Sequence, residues 1–334
     1  MINYDLTIMV LTYNRAEYLV TMLDSIKNQT YPNFFVYILD NNSSDNTESV
    51  VTPFLKDKRF KYIRHIDNIG GKGNYEYAFN LCETEFLLIT HDDDYMDPHF
   101  IEKEYSILKK NPHINMVSTN TNLINEKGCM INNGCISNKL FSGRNIVLSK
   151  YDLFSFTIEN GNCIACPSVM MRYNTIKQEG LDFSPDVGKA LDLYMWLRIN
   201  CLEGDICILK EALYSYRIHH NQDSKNIHYL DQLLRRPVYE LLVNEGRIDL
   251  ANRWNKFEKE NCIKSIMACP YRKQEYKYIK KLVSLEEGDL GIKILLLISV
   301  YLKPIIKIYW LCKKILKKLH PSHYFNLKST NETI

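Results

Sequence analysis

Over residues 6–90 the hydrophobic and polar positions switch between two periods. Leu6-Thr7-Ile8-Met9-Val10-Leu11 is a short apolar run of the kind buried on both faces of a sheet. Leu19, Met22, Leu23 and Ile26 then recur at i, i+3, i+4 and i+7, the spacing of one helical face. Asn14, followed three residues on by Glu17, predicts a capping box at the start of that helix. Phe34 to Leu39 predicts the next strand, Ser43 to Leu55 a helix and Phe60 to Ile66 a strand. Lys72 to Cys82 predicts a helix with Tyr75, Ala78, Phe79 and Cys82 on one face, and Phe86 to Thr90 closes the series as a strand. This βαβαβαβ order implies an α/β fold, a mainly parallel sheet with helices on both faces. Ile227 to Leu285 returns to helical spacing, with Leu230, Leu233 and Leu234 ahead of Val238, Leu241 and Leu242 and breaks at Pro237, Gly246 and Pro270. It predicts helical packing without chemistry.

In sheets of this kind ligands bind beyond the carboxyl ends of the strands. Three polar clusters lie just past strand ends here: Tyr13-Asn14, Asp40-Asn41-Asn42-Ser43 and Asp92-Asp93-Asp94. The last ends the run Phe86-Leu87-Leu88-Ile89-Thr90-His91 abruptly in three adjacent carboxylates. Like charges this close repel, and a divalent cation offsets them; an all-oxygen set suits Mg²⁺ or Mn²⁺. The alternative is a solvated acidic turn. No GxGxxG follows the first strand and no GxxxxGK[ST] occurs, so neither a dinucleotide fold nor a P-loop is supported.

Composition adds a setting. With 334 residues, 46% hydrophobic and 24% charged, the chain is long enough for one large core, or for one domain with an appendage. The start Met1-Ile2-Asn3-Tyr4-Asp5 has no basic or apolar secretory segment, so the ten cysteines are expected reduced and cytosolic. Cys163 and Cys166 form a CxxC with Cys129 and Cys135 upstream, but the spacing of the first pair does not suit a common zinc finger. The net charge of +3 hides an asymmetry: residues 290–333 carry eight lysines against the single acid Glu332. On a helical wheel seven of these lysines fall on one side and residues such as Ile294, Leu297, Ile305 and Ile308 mostly on the other. Pro304, Lys303 and Lys307 interrupt the apolar run, so it falls short of a membrane span. The pattern predicts a basic amphipathic helix on an anionic membrane surface, with packing on the body or on a second subunit of a homo-oligomer as the alternative. No nucleic-acid partner is expected.

Taken in order, several of these segments resemble the signatures of family 2 glycosyltransferases. They are Leu11-Thr12-Tyr13-Asn14-Arg15, Asp40-Asn41-Asn42-Ser43-Ser44-Asp45-Asn46-Thr47, Asn68-Ile69-Gly70 with Asn74, and His91-Asp92-Asp93-Asp94. Pro167-Ser168-Val169-Met170-Met171-Arg172 is similar to the family's acceptor-side strand, and Asp192-Leu193-Tyr194-Met195-Trp196-Leu197-Arg198 to its catalytic helix. Tyr216-Arg217-Ile218-His219, with Asn221 and Ser224, is similar to the motif that closes the catalytic domain. The resemblance implies an inverting nucleotide-sugar enzyme with the glycosyltransferase A fold, of the type that builds bacterial surface polysaccharides. It implies donor contacts at Thr12, Tyr13, Asn14, Asp40, Asn68, Lys72, Asp92 and Asp93, with Asp40 accepting from a uracil ring. It implies a metal on Asp94 and Asp92, with His219 reaching the metal or the pyrophosphate, His220 being the competing choice. The register of the acidic motif stays open, since the longer form puts His91 in place of its first acid and makes Asp93 the central ligand.

The same resemblance makes Asp192 the general base, and inversion by one in-line displacement needs only one. The family usually carries Glu-Asp here, whereas this chain has Leu191-Asp192, a departure read as a changed acceptor or proton affinity. The bland alternative for Asp192 is a helix N-terminal acid. Acceptor specificity is expected around 160–166 and 183–189. The expected organisation is a catalytic domain over 1–225, with its donor half to about 120, a helical extension over 226–288 and the basic tail over 289–334. The expected activity is transfer of a sugar, UDP-linked by preference over TDP, to a glycan or lipid-linked saccharide at the cytoplasmic face of the plasma membrane. A sugar-nucleotide nucleotidyltransferase is disfavoured, because Thr12 to Glu17 is no Gly-rich basic loop; a non-catalytic glycan-binding relative is the other alternative.

Overall fold

The structure is a computed structural model that describes residues 4–268 except 137, 189, 221 and 223–233. Strands β1 (Leu6–Thr12), β2 (Phe34–Asp40), β3 (Phe60–Arg64) and β4 (Phe86–His91) alternate with helices α1 (Ala16–Lys27), α2 (Thr47–Val51) and α3 (Gly70–Leu81). Then follow β5 (Tyr95–Met96), α4 (Phe100–Lys110), β6 (Ile114–Ile124), β7 (Met130–Asn132), α5 (Asn138–Phe141), β8 (Ile146–Leu148) and α6 (Asp152–Asn160). β9 (Val169–Arg172), α7 (Tyr173–Gln178), α8 (Leu191–Ile199), β10 (Asp205–Arg217), α9 (Arg235–Asn244) and α10 (Ile248–Ala268) complete the described elements.

One sheet runs in the order β3-β2-β1-β4-β9-β6-β10-β5. β3, β2, β1 and β4 are mutually parallel, as the βαβ pattern requires. Beyond β4 the sheet is mixed, with β9 antiparallel to both β4 and β6, and β10 parallel to β6. The apolar strand runs are buried on both faces because the sheet separates two cores. Along β1, Leu6, Ile8 and Val10 enter one core with Leu19, Met22, Leu23 and Ile26 of α1, while Met9 and Leu11 enter the other with Ala78 and Phe79 of α3. The strand period of two and the helix period of 3.6 meet on each face.

Two expected helix starts move. Asn14 does not cap α1; its φ of 53° is left-handed, a conformation asparagine tolerates, and Arg15 is the N-cap without a side-chain hydrogen bond. The side chain is recruited across the molecule instead: Asn14 Oδ1 accepts from the Ser44 amide at 2.7 Å, and the Ala16 amide donates to Asp45 at 3.0 Å. The helix expected over 43–55 begins only at Thr47, where Asp45 accepts from the Thr47 amide at 3.1 Å. It tightens to a 3-10 turn over Thr52–Lys56, since Pro53 has no amide hydrogen to give an α-helical bond. Pro237 does not break a helix but sits in the first turn of α9, where its missing donor costs little. Gly246, left-handed at φ 71°, does separate α9 from α10.

Val238, Leu242, Leu250, Ala251 and Trp254 of α9 and α10 are buried in the same core as α3, α6, α7 and α8. Residues 234–258 are therefore packed on the body. The expected boundary at 225, the motif residues Asn221 and Ser224, Leu230, Leu233, Pro270, Lys189 and the whole basic tail lie outside the described residues. Among the described residues no helix is long and apolar enough to cross a membrane.

Candidate active site

Strand register assembles the polar clusters. β1 pairs Thr12 with Asp40 of β2 and Leu11 with His91 of β4, so the chain's turns at 13–15, 41–43 and 92–94 leave the sheet side by side. Asp40 is buried; its Oδ1 accepts from the Ser43 amide at 2.8 Å and its Oδ2 from the Tyr62 hydroxyl. Asn41 and Asn68 clamp the loop before α3, with Asn41 Nδ2 donating to Asn68 Oδ1 at 3.0 Å and the Ile69 amide to Asn41 Oδ1 at 2.8 Å. Thr12 is buried at the strand end, while Tyr13 is 44% exposed beside it. Lys72 turns away from the acids: its Nζ donates to the Ser184 carbonyl at 2.8 Å and pairs with Glu76.

The three acids differ in surroundings although they are consecutive. Asp92 faces β1, accepting from the Tyr13 amide at 3.2 Å and from Arg15 Nη1 at 3.1 Å. Asp93 Oδ2 accepts from the same Arg15 nitrogen at 3.1 Å and meets His219 Nε2 at 2.8 Å. Asp94 points into the fold, where the Arg217 amide donates to Oδ1 at 2.7 Å and the Tyr214 hydroxyl to Oδ2 at 3.1 Å. His219 is thus the buried histidine of the pair, its ring 5.2 Å from that of Tyr18, whereas His220 is exposed and bound to Glu126. Arg217 locks the turn further, donating from Nε to the Asp93 carbonyl at 2.6 Å.

This arrangement holds more negative charge than its cations relieve. Burial and the neighbouring Asp93 charge push Asp92 up to about 7 despite Arg15. Burial and Asp93 likewise push Asp94 well above the carboxylate range. Asp93 is also buried, but His91, Arg15 and His219 together hold it below that range. One carboxylate is favoured as an anion at the expense of its two neighbours, an imbalance that a divalent cation corrects. One donor atom each from His91, Asp93 and Asp94 lies within 4.8 Å of the others, close enough to share an ion. The two carboxylates suit Mn²⁺ or Mg²⁺, and the imidazole adds a nitrogen ligand to the all-oxygen set expected. Of the ligands expected from the motif, Asp94 is in this group, Asp92 faces Arg15 and Tyr13, and His219 touches it through Asp93.

Asp192 stands in the first turn of α8, partly exposed. Burial raises its carboxyl above the usual range, opposed by the amides of Leu193 and Asp192 itself and by the Cys166 thiol. Leu191, where the family usually has an acid, packs into the hydrophobic core. Cys166 in turn lies 3.1 Å from the Tyr75 hydroxyl, and that hydroxyl is hydrogen-bonded to His91 Nε2. Arg15, Tyr75, Cys166, Tyr214 and Arg217 therefore belong to the site without having been singled out for it. Arg15, Tyr214 and Arg217 lie from 77 to 124 residues from the acids they hold, and no local pattern encodes such contacts.

A family model described as "Glycosyl transferase family 2" matches residues 7–173. An uncharacterized glycosyltransferase of Haemophilus influenzae is 30% identical over 226 residues, covering 65% of this chain and 67% of its own. The UDP-Glc:alpha-D-GlcNAc-diphosphoundecaprenol beta-1,3-glucosyltransferase WfgD of Escherichia coli is 26% identical over 198 residues, 59% of this chain and 70% of its own. Among solved structures, TarS 1-349 of S. aureus in complex with UDP-GlcNAc superposes with a TM-score of 0.66 at 18% identity, covering 88% of this chain and 87% of that one. That likeness extends the shared fold well past the matched segment. With half of the chain matched by the family model, including the whole parallel half of the sheet and its acidic strand end, the protein belongs to the family 2 glycosyltransferases.

Proposed function

We propose that the protein transfers a sugar from UDP to a hydroxyl of a lipid-linked glycan during surface polysaccharide synthesis, with inversion, and that Asp192 is its general base. The observation that carries this reading is the opening of the Tyr13, Asp40 and Asp92–Asp94 turns side by side at the sheet's carboxyl edge, together with a partly exposed Asp192 in the first turn of α8. Tyr13 is exposed and offers its ring to a base, and each Asp40 oxygen keeps a second lone pair for a uracil N–H. His91, Asp93 and Asp94 would hold the divalent cation, which supplies charge neutralisation on the departing diphosphate. Arg15 fixes Asp92 and Asp93 at the donor end. Asp192 takes the proton from the acceptor hydroxyl as that oxygen attacks the sugar carbon, and its raised proton affinity suits the task. The undecaprenol-linked acceptor in the relative's name supports a lipid-linked substrate, and UDP in both names supports the donor base.

Thermal-shift measurements with UDP, TDP, GDP and CMP, each with Mn²⁺, Mg²⁺ or EDTA, test the donor site. A ligand at a hundredfold excess over its dissociation constant adds about 2.7 kcal/mol, a rise of about 4 °C for a chain of this length. UDP with Mn²⁺ is expected to give that rise and EDTA to remove it. Equal response to all four nucleotides, or to none, would overturn the UDP assignment.

A further inference from the structure

Two side chains outside the acidic run, Tyr75 and Cys166, connect its histidine to the 3-10 turn before β9. Tyr75, on the face of α3 turned to the sheet, is partly buried with its ring 5.5 Å from that of Phe183. Its hydroxyl touches His91 Nε2 on one side and Cys166 Sγ at 3.1 Å on the other. These contacts join elements 16 and 91 residues apart in sequence, α3 to the end of β4 and to the 3-10 turn Cys166–Ser168.

We infer that Tyr75 is a positioning residue for the cation site, orienting the His91 ring through its contact at Nε2, and that Cys166 anchors Tyr75 in this role. The inference rests on the reading of His91, Asp93 and Asp94 as the cation site. The Tyr75 hydroxyl meets the ring of His91 at Nε2, and Cys166 Sγ, 3.1 Å away, holds that hydroxyl from its other side. Partners of this kind, which fix the tautomer and ring angle of a ligand histidine, alter metal affinity by roughly 10–100-fold when removed.

Mn²⁺ binding to the full chain, followed by the loss of free Mn²⁺ signal in electron paramagnetic resonance, reads this without any substrate. Tyr75→Phe, which keeps the ring and removes the hydroxyl, is expected to weaken Mn²⁺ binding at least about tenfold. Cys166→Ser retains a donor and an acceptor and is expected to bind within about twofold of the parent, whereas Cys166→Ala is expected to bind more weakly than Cys166→Ser. Parental affinity in Tyr75→Phe would overturn the inference and leave the cation site standing. Should Tyr75→Phe fail to fold, the Cys166 pair decides, and equal affinity of the alanine and serine variants would overturn it. If the parent protein binds no Mn²⁺, or binds it unchanged after His91→Ala, the reading of the cation site fails and the inference falls with it.

Discussion

Asp92, Asp93 and Asp94 show how far three identical side chains diverge once each meets different partners. Arg15 and His219 gather on Asp93, and the uncompensated charge is passed to its neighbours as a raised proton affinity. Asp192 gains its proton affinity mainly from burial. A base must be deprotonated to act, so turnover is expected to rise with pH through a pKa above the ordinary aspartate value of about 3.9. Asp192→Asn is expected to lower kcat by about 10²–10⁴-fold while leaving the UDP thermal shift intact. Steady-state kinetics with UDP-sugar and a lipid-linked acceptor would check this, and near-parental kcat in the variant would remove Asp192 from the mechanism.

At the scale of elements, α4 carries the least explained residue of the fold. Glu104 is fully buried against the sheet with no close hydrogen-bond partner for its carboxylate among the described residues, and burial, opposed only by the Met170 amide, pushes its carboxyl well above the glutamate range. The folded state keeps a proton that the unfolded chain releases near pH 4.5, so this group's stabilisation is complete below that pH and declines as pH rises above it. Glu104→Gln removes the titration. Urea unfolding is expected to show the variant gaining on the parent from pH 4.5 to pH 8; a difference independent of pH would mean that Glu104 is ionised in the folded state. The α9–α10 pair makes a different contribution. Trp254 of α10 is fully buried with its ring 6.0 Å from that of Phe154 on α6. Trp254→Ala is expected to cost about 3–5 kcal/mol in denaturant unfolding while the UDP response persists, as befits a prop for the acceptor half rather than a part of the site.

For the whole molecule, the sheet divides the work. Its parallel half ends in the donor-side turns, and its mixed half brings β10 alongside to hold Asp93 and Asp94 from the other direction. The lysine-rich segment 289–334 lies outside the described residues, and its proposed role is electrostatic attachment to an anionic membrane. The full chain is expected to sediment with vesicles containing anionic phospholipid and to be released by salt, and a chain ending at residue 288 to stay in the supernatant. Equal sedimentation of the two would take membrane binding away from the tail.

The amino-acid sequence by itself determined the alternation of β1 to β4 with their helices, because burial on two faces leaves a period that any window of the chain carries. Leu19, Met22, Leu23 and Ile26 all lie in the core where the spacing put them. It also determined which strand ends hold polar residues and, through the order of the motifs, the family. Tertiary structure decided the rest. The start of α1 moved because Ser43, Ser44 and Asp45 offered the residues at 14–16 better partners than a local cap, and α2 shortened where Asp45 and Pro53 set its ends. The grouping of His91 with Asp93 and Asp94, the bridge from Arg15 and the contacts of Tyr75 and Cys166 became visible only after folding. Local pattern reports which face of an element is apolar; which charged side chains meet depends on strand register and on β10 returning from more than a hundred residues away.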